Sequence, residues 1–267
     1  MQRRTHQTSE GFTLIEMAMV VAIVSLLISG MVIPLATRFE QQAYSDTQAR
    51  LDNATQALIG YAVLNGRLPC PSATVDGLEL TRTNGGANPL LCGTAANSDT
   101  SSVATNTSWG DFPWGTLGIA PPNNADAWNY RLRYAVCTKL VENNSLNTAN
   151  INGCAITVID NITPATPITL VNNASFVVYS HGKNSWGGSS IGNATYTSIA
   201  NPTSADELAN LPSTEVTPAL RGSFISRTRT GSPPPPATTP LEFDDLLTWM
   251  SPNTLTAKLV AAGVWTP

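Results

Sequence analysis

The feature that most constrains this chain is a run near its start, residues 12–36, in which Glu16 is the only charged residue. A helix rises 1.5 Å per residue, so the 25 residues of this run are enough to cross a bilayer core of roughly 30 Å. The basic residues Arg3 and Arg4 precede the run, which predicts a cytoplasmic N-terminus and export of the remainder. The run therefore predicts a membrane-spanning helix.

Glu16 is out of place in such a helix. An ionised carboxylate in hydrocarbon costs at least about 2.5 kcal/mol, and such residues are usually paired and functional. A cut after Gly11 would leave Phe12 with a free amine about one helical turn from Glu16. The amine of one subunit could then neutralise Glu16 of its neighbour and set their axial stagger. The alternative is an uncleaved signal anchor in which the glutamate has no such role.

The sequence GFTLIE at residues 11–16, with a basic leader before it and an apolar helix after it, resembles the class III signal of type IV pilins and type II secretion pseudopilins. The resemblance implies that a prepilin peptidase cuts after Gly11, that Phe12 is then N-methylated, and that Glu16 guides assembly. It also implies several partners: other pilin or pseudopilin subunits, the prepilin peptidase, an inner-membrane assembly platform and inner-membrane lipid. The expected location is the bacterial inner membrane, with a single pass, a periplasmic head and assembly into a periplasmic or surface filament.

The sequence divides into a cleaved leader (1–11), a long N-terminal helix (12–66) and a β-rich head (67–267) with a Pro-rich spacer at 232–240. The helix is expected to continue past the apolar run because further apolar residues recur at helical spacing. These residues are Tyr44, Leu51, Ala54, Leu58, Tyr61 and Ala62. The expected fold class is α+β, in which a long transmembrane and amphipathic helix packs on a mostly antiparallel, pilin-like head with short C-terminal helices.

Three segments of the head are predicted as strands, and their short connections favour antiparallel pairing. They are 129–136, 155–159 and 174–180. A last edge strand is expected within 220–229. Helical spacing of apolar residues predicts a short helix over 241–250. Ser251-Pro is expected to cap a second short helix over 253–262, and at most a short helical piece is expected near 205–210.

Four cysteines, Cys70, Cys92, Cys137 and Cys154, allow three disulfide pairings. The pairing Cys70–Cys92 and Cys137–Cys154 is favoured because each bond closes a local loop without entangling the other. Free buried thiols are the alternative. Zinc is not indicated, because there is no C-x-x-C pair and the two histidines lie far from the cysteines.

The composition also limits the classes of partner. Only 12% of residues are charged, the net charge is −4, and no basic run follows the leader. Nucleic-acid binding therefore has little support. An abundance of Asn, Thr, Ser, Gly and Pro is typical of an extracytoplasmic protein rich in turns and β-structure.

The head carries a second resemblance, to the major pseudopilin of type II secretion. It rests on three segments that occur in a similar order: Asp126-Ala-Trp-Asn, Val178-Val-Tyr-Ser-His-Gly-Lys-Asn and Asp244-Asp-Leu-Leu-Thr-Trp249. The resemblance implies a calcium-binding loop, with Asn184, Asp244 and Asp245 as the candidate ligands. Asn184 stands where the family has an aspartate, and losing a carboxylate should weaken or abolish binding of a hard cation. No cofactor is therefore predicted, and calcium at this loop is the alternative.

Enzymatic activity is not predicted. The five residues 188–192 match G-x-S-x-G around Ser190, but His6 and His181 both precede it, whereas a hydrolase of that type needs a downstream histidine. Asp244 and Asp245 are interpreted as carboxylates in a first helical turn rather than as an acid–base pair. The tryptophans beside turns favour packing at the rim of the core over a sugar-binding platform.

These patterns predict a pilin-like structural subunit of a type II secretion pseudopilus, assembled through its N-terminal helix to help export folded proteins. The alternatives are a type IV pilus subunit, including a minor pilin, and a pilin-anchored adhesin or hydrolase whose head acts alone.

Overall fold

A computed structural model of the chain describes residues 11–80, 82–83, 91–92, 101–102, 107–161, 166–192, 204–211, 222–230 and 242–265. For residues 29–36, 82–83, 91 and 101–102 it describes the backbone alone. The chain divides into two units, Met1–Ala43 and Tyr44–Pro267. The leader up to residue 10 and the Pro-rich spacer lie outside the described residues.

The first element is a 52-residue helix, α1, at Leu14–Asn65. In the second unit its apolar stripe enters the core, where Leu51, Leu58 and Ala62 are fully buried. The helix stops at Gly66, whose φ of 64° is open to glycine without steric cost. The Gly66 N–H donates to the carbonyl of Ala62 at 2.9 Å and so satisfies one of the last carbonyls. The helix ends at Asn65, one residue before the end of the predicted segment 12–66.

The membrane-spanning expectation is wrong. A crossing helix needs about 20 consecutive, predominantly apolar residues, and within the described ranges no helix combines the required length and apolarity. This finding overturns the assignment of residues 12–36 as a transmembrane segment. It also overturns the single-pass inner-membrane location that followed from that assignment.

The rest of the structure is α+β with largely antiparallel sheets, as expected. The described strands are β1 (Arg82–Thr83), β2 (Leu91–Cys92), β3 (Ser101–Ser102), β4 (Thr107–Asp111), β5 (Arg133–Cys137), β6 (Ile156–Asp160), β7 (Ile168–Ala174), β8 (Phe176–Ser180), β9 (Ser223–Ile225) and β10 (Leu246–Met250). The further helices are α2 (Thr148–Asn152), α3 (Ala205–Ala209) and α4 (Pro252–Ala261).

The largest sheet has five strands in the order β10-β8-β5-β4-β3, all paired antiparallel. Its central strands β5 and β8 are buried along their whole length. The side chains of Tyr134 and Phe176 pack together there, with ring centroids 6.2 Å apart. Residues of α1 belong to the same hydrophobic core. This core explains why β-branched and aromatic residues dominate these two strands.

A second sheet has the order β7-β6-β9. Strands β6 and β7 pair antiparallel, while β6 and β9 pair parallel. Strand β9 lies within the predicted segment 220–229 and at the edge of its sheet, as expected. Strand β7 was not predicted, because Ile168 and Leu170 are exposed and give no buried alternation. Strands β1 and β2 form a separate antiparallel pair.

The prediction of a helix over 241–250 is wrong, because residues 246–250 form the strand β10. The apolar residues of this segment do recur at helical spacing, but the edge of β8 is available and pairs with the segment from Leu246 to Met250. Tertiary pairing therefore overrides the local pattern. The next helix, α4, agrees with the expectation for 253–262. Its N-cap is Ser251, whose hydroxyl accepts the backbone N–H of Thr254 at 3.2 Å.

Two disulfides cross-link the second unit, Cys70–Cys92 and Cys137–Cys154. These are the two pairings that the sequence favours. The second bond joins the end of β5 to the residue that follows α2 and Gly153. The first joins the chain just after α1 to β2. The second bond therefore ties the segment after α2 to the end of the central strand β5.

Candidate functional site

The residues of the GFTLIE motif lie at the start of α1. Gly11, Phe12 and Thr13 are exposed and precede the first helical residue, Leu14. Thr13 and Glu16 form a reciprocal capping box. The Glu16 Oε2 atom accepts the backbone N–H and the hydroxyl of Thr13, both at 2.8 Å. The Thr13 Oγ1 atom accepts the backbone N–H of Glu16 at 3.3 Å.

The helix after this box is apolar on every side. From Phe12 to Ile28 the large apolar side chains are each at least 46% exposed. A helix that is apolar all round is normally buried. Fully burying one Val, Leu or Ile side chain stabilises by roughly 1.5–3 kcal/mol. In the single chain these side chains are exposed. The large free energy that their burial would contribute is therefore not gained.

In the head, two residues of the second resemblance meet directly. Asp126 is fully buried and accepts the Ser180 hydroxyl at 2.7 Å. Its other oxygen accepts the backbone N–H groups of Trp128 and Tyr130, each at 2.9 Å. Burial raises the pKa of Asp126, although these hydrogen bonds act in the opposite direction. The role of Asp126 is therefore to hold the turn before β5 against the end of β8.

The register of two strands brings the other candidates together. Leu246 of β10 pairs with Ser180 of β8, so the residues just before β10 adjoin the loop that follows β8. Gly182 in that loop has a φ of 64°, and a Cβ atom there would lie 2.3 Å from the carbonyl oxygen of Asp244. Only glycine permits this close approach. The backbone N–H of Asn184 donates to Asp244 Oδ2 at 2.8 Å.

A buried acidic cluster forms at this point, from Glu207 of α3 together with Asp244 and Asp245. One carboxylate oxygen from each residue lies within 4.8 Å of the other two. The three residues are 1%, 7% and 5% exposed, respectively. The Asn184 side-chain amide donates to Glu207 Oε1 at 3.0 Å, and the Asn210 amide donates to Asp245 Oδ2 at 2.7 Å. The cluster is thus assembled from three separate segments of the chain.

The charges in this cluster are poorly compensated. Burial, together with the negative charge of Asp245, raises the pKa of Glu207 to about 8. Burial also raises the pKa of Asp244 to about 6, although the Asn184 N–H that it accepts acts the other way. Three carboxylates supply the anionic oxygen ligands that a hard cation such as calcium prefers. The donor types therefore fit the calcium that the second resemblance implies.

The structure brings together the three candidates Asn184, Asp244 and Asp245, but it changes their roles. Asn184 faces the cluster as a hydrogen-bond donor. The two aspartates precede a strand, so their interpretation as carboxylates in a first helical turn is wrong. Glu207 was missed, because it lies in a polar segment that is remote in sequence and matches no motif. His181 is 1% exposed, and its Nδ1 atom lies 3.6 Å from Asp245 Oδ1.

The other candidates, Ser190 and the tryptophans, make structural contacts. Ser190 forms an isolated bridge with Tyr130, and its carbonyl accepts the Arg131 Nε–H at 3.4 Å. Within the described part of this loop, Ser190 is not at a strand-to-helix turn. Trp109 lies buried on β4, and the ring of Trp128 packs edge-on against Tyr44 at 4.8 Å. Trp109 therefore packs in the core, and Trp128 packs against Tyr44 of α1.

Comparison with known proteins gives no further guide to the site. No protein-family model, no curated protein and no solved structure matches the chain.

Proposed function

We propose that this chain is a pilin-like structural subunit of a type II secretion pseudopilus, which assembles through its N-terminal helix and helps to export folded proteins. The observation that carries the proposal is the placement of GFTLIE. Gly11 and Phe12 are exposed and lie outside the helix, and a long helix whose first part has an apolar surface begins two residues after Phe12. Its partners are the prepilin peptidase and other subunits of the same kind.

The proposed assembly has three steps. The peptidase cuts after Gly11 and exposes the amine of Phe12, which is then methylated. The amine of one subunit pairs with Glu16 of its neighbour and sets the stagger between them. The exposed apolar side chains between Phe12 and Ile28 then pack against the same surface of neighbouring helices. Burial of these side chains supplies the cohesion, since each contributes on the order of 1.5–3 kcal/mol when fully buried.

The test is the variant Gly11→Ala, expressed with the peptidase and the filament machinery. A Cβ atom at residue 11 meets nothing within 4 Å, so the substitution leaves the fold undisturbed. We expect intact mass measurement to find the uncleaved chain and electron microscopy to find no filaments. Gly60→Ala is the matched control, because its Cβ also meets nothing and should leave cleavage and assembly normal. Normal maturation of Gly11→Ala would overturn the cleavage assignment and, with it, the proposal.

A further inference from the structure

A turn that follows α1 in the chain, residues 74–78, exposes two apolar side chains. Val75 is 52% exposed and Leu78 is 53% exposed. Single exposed apolar residues are common on protein surfaces, whereas apolar side chains grouped in an exposed patch often mark an interaction site. The carboxylate of Asp76 is exposed between these two side chains. The 74–78 turn therefore presents an apolar pair together with one negative charge.

Several local contacts fix the conformation of this turn. Gly77 has a φ of 68°, and its N–H donates to the carbonyl of Thr74 at 3.1 Å. A Cβ atom at Gly77 would lie 2.3 Å from Trp114 Nε1, so the turn packs directly on that side chain. Asp76 accepts the Leu78 N–H at 3.2 Å and also the Thr74 hydroxyl. A surface that is ordered in advance loses little conformational entropy when a partner binds.

A surface with complementary chemistry lies on α1. Phe39 is 67% exposed, and Arg38, which precedes it, is exposed as well. Within the described part of the chain, neither Arg38 nor Asp76 has an ion-pair partner. Aromatic and arginine side chains are enriched in protein–protein interfaces. Arg38 and Phe39 thus offer a positive charge and an apolar surface side by side, which match the negative charge and the apolar pair of the turn.

We propose that the 74–78 turn of one subunit docks on Arg38 and Phe39 of a second copy of this chain. Asp76 then pairs with Arg38, and the two apolar side chains of the turn pack against Phe39. A contact between two different surfaces can repeat from copy to copy as an open filament, whereas a surface that pairs with itself closes as a dimer. This inference rests on the proposed assembly into a filament, to which it adds a specific contact between subunits.

The experiment exchanges the two charges in the full chain, and filaments are counted by electron microscopy at matched expression. Asp76→Arg and Arg38→Asp should each give about tenfold less filament, because two like charges then face each other. The double variant should return to within about threefold of the original chain, because it restores the pair with the charges exchanged. Asp52→Arg is the matched control, since it makes the same change of charge at an exposed aspartate of α1. It should leave filament number within about twofold of the original chain.

A cross-link tests the apolar part of the contact without altering either charge. Subunits that carry Leu78→Cys are expressed together with subunits that carry Phe39→Cys. Because a disulfide forms only when the two Cα atoms lie about 5.5 Å apart, we expect a linked dimer in the mixed filaments. Neither variant expressed alone should give this dimer, because the contact joins two different surfaces.

The results separate this contact from the proposed function. If the original chain forms filaments but the double charge variant does not, the contact is overturned and the proposed function stands. The same holds if the mixed filaments give no cross-link, or if Asp52→Arg loses as much filament as Asp76→Arg. If the original chain forms no filament with the machinery present, both the proposed function and this contact are overturned.

Discussion

Thr13 and Glu16 satisfy each other at the start of α1: the carboxylate accepts the Thr13 N–H, and the Thr13 hydroxyl accepts the Glu16 N–H. This reciprocal arrangement gives Glu16 a local purpose in the single chain. It also separates two roles that the sequence cannot distinguish, namely capping the helix and pairing with the amine of a neighbouring subunit.

The first prediction tests these two roles with a pair of variants. Glu16→Gln retains the cap, because glutamine also serves at this position of a capping box, but it removes the charge. Thr13→Ala retains the charge and removes the hydroxyl, at a cost of about 1 kcal/mol in helix stability. If the charge sets the register, Glu16→Gln should give about tenfold less filament. Thr13→Ala should assemble nearly normally.

Filaments counted by electron microscopy, at matched expression, provide the measurement. Equal assembly by Glu16→Gln and the original chain would show that Glu16 only caps the helix. Circular dichroism of the purified variants checks that both retain α1.

The second prediction concerns the disulfide Cys137–Cys154, which closes a loop with a sequence separation of 17 residues. By the chain-entropy model a loop of this size contributes about 3 kcal/mol. Replacing both cysteines by alanine should therefore lower the free energy of urea unfolding by about that amount. A reducing agent should have no further effect on this bond in the double variant. Non-reducing peptide mapping that finds another connectivity would contradict the prediction.

The third prediction concerns Glu79, which accepts two hydrogen bonds from Arg67, at 2.6 and 2.9 Å, and one from the Cys70 N–H at 2.9 Å. Burial alone would raise the pKa of Glu79, but these bonds outweigh it and lower the pKa below its usual 4.5. The ionised group therefore stabilises the fold above the unfolded-state pKa, and this contribution is lost as the pH falls through the lower folded pKa.

Glu79→Gln should accordingly lower the free energy of unfolding by about 1–3 kcal/mol at pH 7. Near pH 3 the difference from the original chain should be smaller. Urea unfolding at both pH values gives the measurement. A double-mutant cycle with Arg67→Gln isolates the coupling between the two side chains. A difference that is independent of pH would contradict the assignment to the ionised carboxylate.

The fourth prediction inverts the expectation from the family motif. Asn184→Asp restores the carboxylate that the family carries, but in this chain it replaces the N–H donor to Glu207 with a second negative charge. At pH 9, above the pKa of Glu207, the calcium-free variant should lose about 1–3 kcal/mol of unfolding free energy. The acceptor for the Trp186 N–H is retained, so that contact serves as an internal control. Increased stability in chelator would contradict the observed geometry.

Local pattern was sufficient for the elements whose burial follows a regular period. The alternation through Tyr134 and Val136 predicts β5, and the helical spacing of Leu51, Leu58 and Ala62 predicts the buried side of α1. In each case the residues that point to the core are fully buried. In α1 the period of the pattern reflects one buried face. Strand β5 is instead buried along its whole length, so its alternation marks residue type rather than exposure.

Local pattern is insufficient where pairing partners decide the structure. Leu246 and Met250 fit a helical period, yet their segment completes the edge of β8, a choice that depends on a strand far away in sequence. Glu207 was missed for a related reason. Its role arises only because the fold brings α3 against the two aspartates, and no residue beside it in sequence indicates that contact.

Strand β10 completes the five-stranded sheet, although residues 181–245 separate it from its neighbour β8. During synthesis β8 therefore emerges long before the segment that covers its open edge. The same late segment brings Asp244 and Asp245 next to Glu207, which is synthesised earlier. A chain that ended before this segment would expose the backbone hydrogen-bonding groups at the edge of β8 and would lack two of the three residues of the acidic cluster. The head is therefore complete only after β10 has paired with β8.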